Sequence, residues 1–179
     1  MLPGIDLRLQ NLTKALQDVI LPSIPTRERL ARDQVMLVIA HLKVIAIQWQ
    51  SVAAFEAGSL DELCGLVKQL VEYADATVSD ELLVEARNAL KHSETIDRQN
   101  HDAVKSALLE VGRVSDMIIG GQAPLKPLNS SMANAVLDYG ARQSLRERAW
   151  FSAHNLDPDK AELPSLENVL SGTVRTGIG

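Results

Sequence analysis

Val35-Met36-Leu37-Val38-Ile39-Ala40-His41-Leu42-Lys43-Val44-Ile45-Ala46-Ile47 decides the reading of the fold, because only His41 and Lys43 are polar in it. The stretch sits inside a helical pattern that runs from Thr26 to about Ala57. A helix that is apolar nearly all round belongs at the centre of something larger. At about 100° per residue, Val35, Val38, Leu42, Ile45, Ala46, Trp49 and Ala53 fall on one side. Leu37, Ala40, Val44, Ile47, Ala54 and Phe55 fall on the other. Arg27, Gln34, His41 and Gln48, spaced by sevens, draw a narrow polar line between them, and Lys43 with Gln50 draws a second. The expectation is a central helix buried on two faces. Trp49 is its largest side chain, and truncating it to Ala would cost roughly 3–5 kcal/mol if it is buried.

The stretch is too short to cross a membrane. A span needs about 20 mainly apolar residues, whereas three arginines and Asp33 precede this one and Gln48 and Gln50 follow it. The first six residues, Met1-Leu2-Pro3-Gly4-Ile5-Asp6, carry no basic and no long apolar segment, so no signal peptide is expected.

Working outward, Leu7, Leu9, Leu12, Leu16, Val19 and Ile20 mark a first helix, closed by Pro22 and Pro25. Thr26 is read as the cap of the central helix. Gly58 is read as its stop, and Ser59-Leu60-Asp61-Glu62 as a capping box opening a third helix to about Ala76. A fourth helix is expected from Glu81 to Ser93 and a fifth from His101 to Ile119. In the fifth, Val104, Ala107, Leu108, Val111, Val114 and Ile118 form an apolar stripe. Gly120-Gly121 stops it, and a loop with Pro124 and Pro127 leads to a sixth helix from Ser131 to about Asn155. Asp157-Pro158 opens a short turn, and a last short helix is expected over 164–170. The fold expected is all-α: a single domain over 1–170 of five to six main helices around a long, doubly buried central helix. The segment 171–179 has no periodicity and is expected as an extended tail, held by a second subunit if it is ordered.

Composition agrees with this class. Of 179 residues, 46% are hydrophobic and only 3% aromatic, so the core must be aliphatic, which suits helix-on-helix contacts. The net charge of −5 argues against a nucleic-acid partner. The acidic excess lies in 59–94 and reads as a solvated face. Cys64 is the one cysteine, which rules out an internal disulfide and a cysteine metal site; it shares a helical face with Leu60, Leu63, Val67, Leu70 and Val71 and reads as a core residue. A cytoplasmic location follows from these features.

Motifs with chemistry are scarce. No Glu-x-x-His or His-x-x-x-His pair occurs, so no metal is expected; Asp97 and His101, near His92 and Glu94, read as polar surface. Gly-x-Ser-x-Gly and the phosphate-loop signature are absent, no catalytic residue is assigned and no cofactor is expected. No stretch resembles the signature of a known family. Two groups could still bind something. His41 is titratable and lies in the apolar helix. Arg27, Arg29 and Arg32 crowd the positive pole of that helix, where cations are disfavoured by roughly 0.3–1 kcal/mol each; an anion would relieve them. Arg142 and Arg146, one turn apart, add to the set. The plain alternative is salt bridges to the acidic third and fourth helices. Trp150 and Phe151 are adjacent, so only one can point inward.

Three functions are open on the sequence alone. The first is a helical protein that binds or self-associates, as a homodimer. The second is a bundle with an apolar pocket for a small anionic or acyl-type ligand, lined by His41 and the arginines. The third is an enzyme using His41 or His154.

Overall fold

The computed structural model describes residues 4–120, 128–154 and 157–172. The described residues form helices and turns with no strand. In order these are α1 (Ile5–Lys14), a π-helical stretch (Ala15–Ile20), α2 (Leu21–Ser23), α3 (Arg29–Gln48), α4 (Val52–Glu72), α5 (Asp80–Thr95), α6 (His101–Gly120), α7 (Ser130–Phe151) and α8 (Leu166–Leu170), with short 3-10 turns at Ser152–His154 and Lys160–Glu162. The fold is all-α, as the apolar periodicity predicts. No single helix among the described residues is long and apolar enough to cross a membrane. Much of the expected loop at 122–130 and the tail from residue 173 lie outside the described residues.

The helices gather into two compact units. One comprises Met1–Ser51 and Arg148–Leu163, the other Val52–Glu147 and Pro164–Gly179. The second unit holds a dense aliphatic core. The stripe of α6, Val104, Ala107, Val111, Val114 and Ile118, is wholly buried against Leu60, Leu63, Val67 and Leu70 of α4 and Ala86, Ala89 and Leu90 of α5. Alanines at these contacts let the helix axes approach closely. Cys64 is buried here as expected, with its Sγ 3.2 Å from Ser93 Oγ, and Ser93 Oγ donates to Leu90 O. Ser79 caps α5 by accepting from Leu82 N, and Ser165 caps α8 by accepting from Asn168 N.

The central helix departs from expectation. It does not run from Thr26 to Ala57. It begins at Arg29, with Glu28 and not Thr26 at the N-cap, and it ends at Gln48. The chain turns at Trp49–Gln50–Ser51, where Ser51 N donates to Gln48 O, and α4 restarts at Val52. Two side chains are drawn away at the break: Gln48 Nε2 donates to Trp150 O at 2.7 Å, and Trp49 Nε1 donates to Asp6 Oδ1 at 2.8 Å. Gly58 does not stop a helix either, because α4 runs through it. Ser59 is not a cap; its Oγ donates back to Phe55 O.

The first helical run also passes Pro22, which was expected to end it. Pro22 has no N–H for the carbonyl four residues back, and its ring would press on that carbonyl. The preceding turn is widened to π register over Ala15–Ile20, so the run continues to Ser23.

Candidate functional site

The surface of the first unit is the unusual feature. Of its described apolar residues only Ile39, Val44, Ala149 and Trp150 are buried. The helix α3 meets neighbours on two sides: Arg32, Val35, Ile39 and Leu42 turn toward the first helical run, while Val44 and Gln48 turn toward Trp150. These neighbours are too small to cover it. Leu30 is 74% exposed, and Leu37, Val38 and Ile45 are each nearly half exposed. The expectation of a doubly buried helix therefore holds for its contacts and fails for its coverage.

The exposed residues are ordered. Leu30, Gln34, Leu37, His41, Val44 and Gln48 follow four-three spacing, the repeat of a helix-to-helix seam. One set of positions is apolar (Leu30, Leu37, Val44) and the other polar (Gln34, His41, Gln48). At its C-terminal end the seam is closed within the unit, with Val44 and Gln48 buried. At its N-terminal end Leu30, Gln34, Leu37 and His41 face outward, flanked by Val38 and Ile45.

On the other side of α3 lies a groove of about 590 Å³, lined by Asp6, Leu9, Gln10, Thr13, Lys14, Gln17 and Asp18 from the first helical run and by Lys43, Ala46 and Ile47 from α3. The run and α3 are antiparallel, because Asp6 meets Trp49 at one end while Leu21 and Ile24 meet Arg32 at the other.

The residues singled out from sequence fall into different surroundings. His41 is exposed on the seam and not buried in a core, because the helix around it is uncovered. Arg27 pairs only with its neighbour Glu28 at 3.2 Å, both well exposed. Arg29 is exposed, with no ion pair among the described residues. Arg32 donates from Nη1 to Leu21 O (3.1 Å) and Ile24 O (2.9 Å). It thus serves the negative end of the preceding helix, which offsets its poor position at the positive end of its own.

Arg142 and Arg146 belong to the second unit. Arg142 Nε donates to Glu62 Oε2 at 2.8 Å, the salt bridge offered as the plain alternative. Arg146 is only 4% exposed. It donates from Nη1 to Val169 O (3.0 Å) and from Nη2 to Phe55 O (3.2 Å), and its guanidinium lies 5.1 Å from the centre of the Phe55 ring. Gly58 explains how it fits: a Cβ there would lie 2.8 Å from Nη2. Burial lowers the Arg146 pKa, with Glu62 and Asp61 opposing. Burial also raises that of Tyr139, helped by Glu147 and Glu62. This is an internal strut tying α7 to α4 and to α8.

Two histidines approach carboxylates. His92 Nδ1 lies 2.7 Å from Glu110 Oε2, and His101 Nδ1 lies 2.6 Å from Glu56 Oε2. Both rings are more than half exposed, and neither pair lines the groove. No cluster of His, Cys, Asp and Glu that could hold a metal occurs among the described residues. The side chain of His154 lies outside what the structure describes. Trp150 is buried and Phe151 exposed, as their adjacency predicts.

Sequence reasoning missed the groove and the Arg148–Asp157 clamp. In the clamp, Arg148 grips the carboxylate at 2.8 and 2.9 Å, which lowers the pKa of Asp157. The groove had a signal: Lys43 interrupts the apolar helix on the face turned to Leu9 and Thr13. No protein-family model, no curated protein and no solved structure matches this chain.

Proposed function

We propose that this protein is a self-associating helical module, a cytoplasmic homodimer joined through the N-terminal part of the α3 seam. The observation that carries the reading is the seam itself: an ordered apolar row that is closed at one end by its own unit and open at the other. Leu30, Leu37, Val38 and Ile45 together expose on the order of 400 Å² of apolar surface, the size of patch that in monomers marks a functional face. Gln34 and His41 sit at the positions where polar residues set register and copy number in paired helices. The free, buried Cys64 suits a reducing compartment.

Sedimentation of the full chain and of Leu37→Glu tests the reading. Two like charges placed in the centre of the seam must separate the copies, so the wild type sediments as a dimer and the variant as a monomer with unchanged helicity. The control is Leu109→Glu, more exposed than Leu37 but on the second unit, which stays dimeric. A wild-type monomer, or a Leu37→Glu dimer, overturns the reading.

A further inference from the structure

The groove on the far side of α3 is a second and separate feature. Lys43 and Ala46 lie on the helix face opposite Leu30, Leu37 and His41, and Ile47 lies at the edge of that face, about 100° from them. A copy docked on the seam therefore leaves the groove open. Its volume of about 590 Å³ is in the range of small-molecule sites.

Charge is arranged along it. The antiparallel pairing of Asp6 with Trp49, and of Leu21 and Ile24 with Arg32, puts Lys43 at the level of Leu12 and Thr13, within a turn of Lys14. Both lysines line the groove, and neither makes an ion pair among the described residues. Of the two acids in the lining, Asp6 is engaged by the Trp49 indole N–H at the far end. Asp18 lies a turn beyond, in the π-helical stretch. From Lys14 to Asp6 the groove runs over Leu9, Ala46 and Ile47 for about 12 Å, eight residues at 1.5 Å each. Two lysines next to the apolar side chains of Leu9, Ala46 and Ile47 are complementary to an anion carrying a hydrocarbon chain.

We infer that the groove binds an acyl carboxylate of about ten carbons, its carboxylate between Lys14 and Lys43 and its chain along Leu9, Ala46 and Ile47 toward Trp49.

The test uses decanoate, decanol and decyltrimethylammonium, each below its micelle concentration. They are titrated into the full chain by calorimetry and, on a Trp150→Phe background, by the fluorescence of Trp49. Decanoate is expected to bind saturably at one site per chain and at least tenfold more tightly than decanol, with the cation weakest. Lys14→Glu/Lys43→Glu is expected to weaken decanoate at least tenfold and to leave decanol unchanged. Equal binding of the three amphiphiles, no saturable binding of decanoate, or an unaltered affinity in the double variant overturns the proposal. Sedimentation of the same double variant separates this outcome from the dimer: it stays dimeric whether or not the groove binds.

Discussion

Gly58→Ala is the most informative substitution in the second unit, because two physical rules predict opposite signs for it. Gly58 lies inside α4, where replacing glycine by alanine ordinarily gains about 0.8–1 kcal/mol of helix propensity. Here the new methyl would sit 2.8 Å from Arg146 Nη2, with Cζ and Nη1 each 3.5 Å away. The guanidinium is the end of a flexible side chain, yet it is 4% exposed, donates to Val169 O and Phe55 O, and lies over the Phe55 ring. Its Nε is already buried with no hydrogen-bond partner. Moving it breaks at least the Nη2 hydrogen bond, and a hydrogen bond from a charged group contributes about 1.5–3 kcal/mol. Crowding adds about 1–3 kcal/mol. The net expectation is a loss of about 1.5–5 kcal/mol, so the clash outweighs the propensity. Urea unfolding followed by circular dichroism measures it, since both tryptophans lie in the first unit and fluorescence does not report on the second. The cycle with Arg146→Ala isolates the cause. In that background Gly58→Ala should gain about 1 kcal/mol, the ordinary helix value. A stabilising Gly58→Ala in the wild type, or the same cost in both backgrounds, would refute the reasoning.

Three further outcomes follow from the first unit. Trp150→Ala should cost roughly 3–5 kcal/mol while the adjacent Phe151→Ala stays within about 0.5 kcal/mol, because only Trp150 is buried; equal costs for the two by urea unfolding would contradict the assignment. Arg32→Ala uncovers the carbonyls of Leu21 and Ile24 and should cost about 1–2 kcal/mol, with amide exchange faster over 18–24; unchanged exchange there would show that the guanidinium does not hold that helix end. The Asp157 carboxylate is held below the usual carboxylate range by Arg148. Its contribution is therefore complete above about pH 4 and is lost as the pH falls through its lowered value. An acid titration of Trp150 fluorescence should lose this component in Asp157→Asn, and an identical acid transition in the variant would contradict it.

The helical class was legible because period and punctuation agreed. The stripe of α6 and the adjacent Trp150–Phe151 pair each place residues where the structure has them. The same local reasoning failed where a distant partner overrides the local rule. Gly58 reads as a stop signal, but it is kept helical as the notch that admits Arg146, eighty-eight positions along the chain. The true break at Trp49–Gln50–Ser51 carries no glycine or proline; it coincides with Gln48 and Trp49 turning to Trp150 and Asp6. Arg32 looks misplaced on its own helix because its carbonyl partners belong to the previous one. Periodicity gave the composition of α3 correctly and its coverage incorrectly: an apolar helix must be buried against something, and the pattern cannot say whether that is its own chain or another. The arginines and His41 read in the sequence as one ligand set, and the structure gives each its own surroundings.

Leu37 is the residue on which pairing through α3 depends most directly. It lies midway between Leu30 and Ile45, so a two-fold seam brings it next to its own copy whether the paired helices run parallel or antiparallel. Full-length protein carrying Leu37→Cys on a Cys64→Ser background, oxidised mildly and run without reductant, should be trapped at twice 19.5 kDa, whereas Leu109→Cys on the same background should stay at the single-chain mass. Failure of Leu37→Cys to cross-link, or equal cross-linking at both positions, would contradict the proposal that this chain pairs through α3.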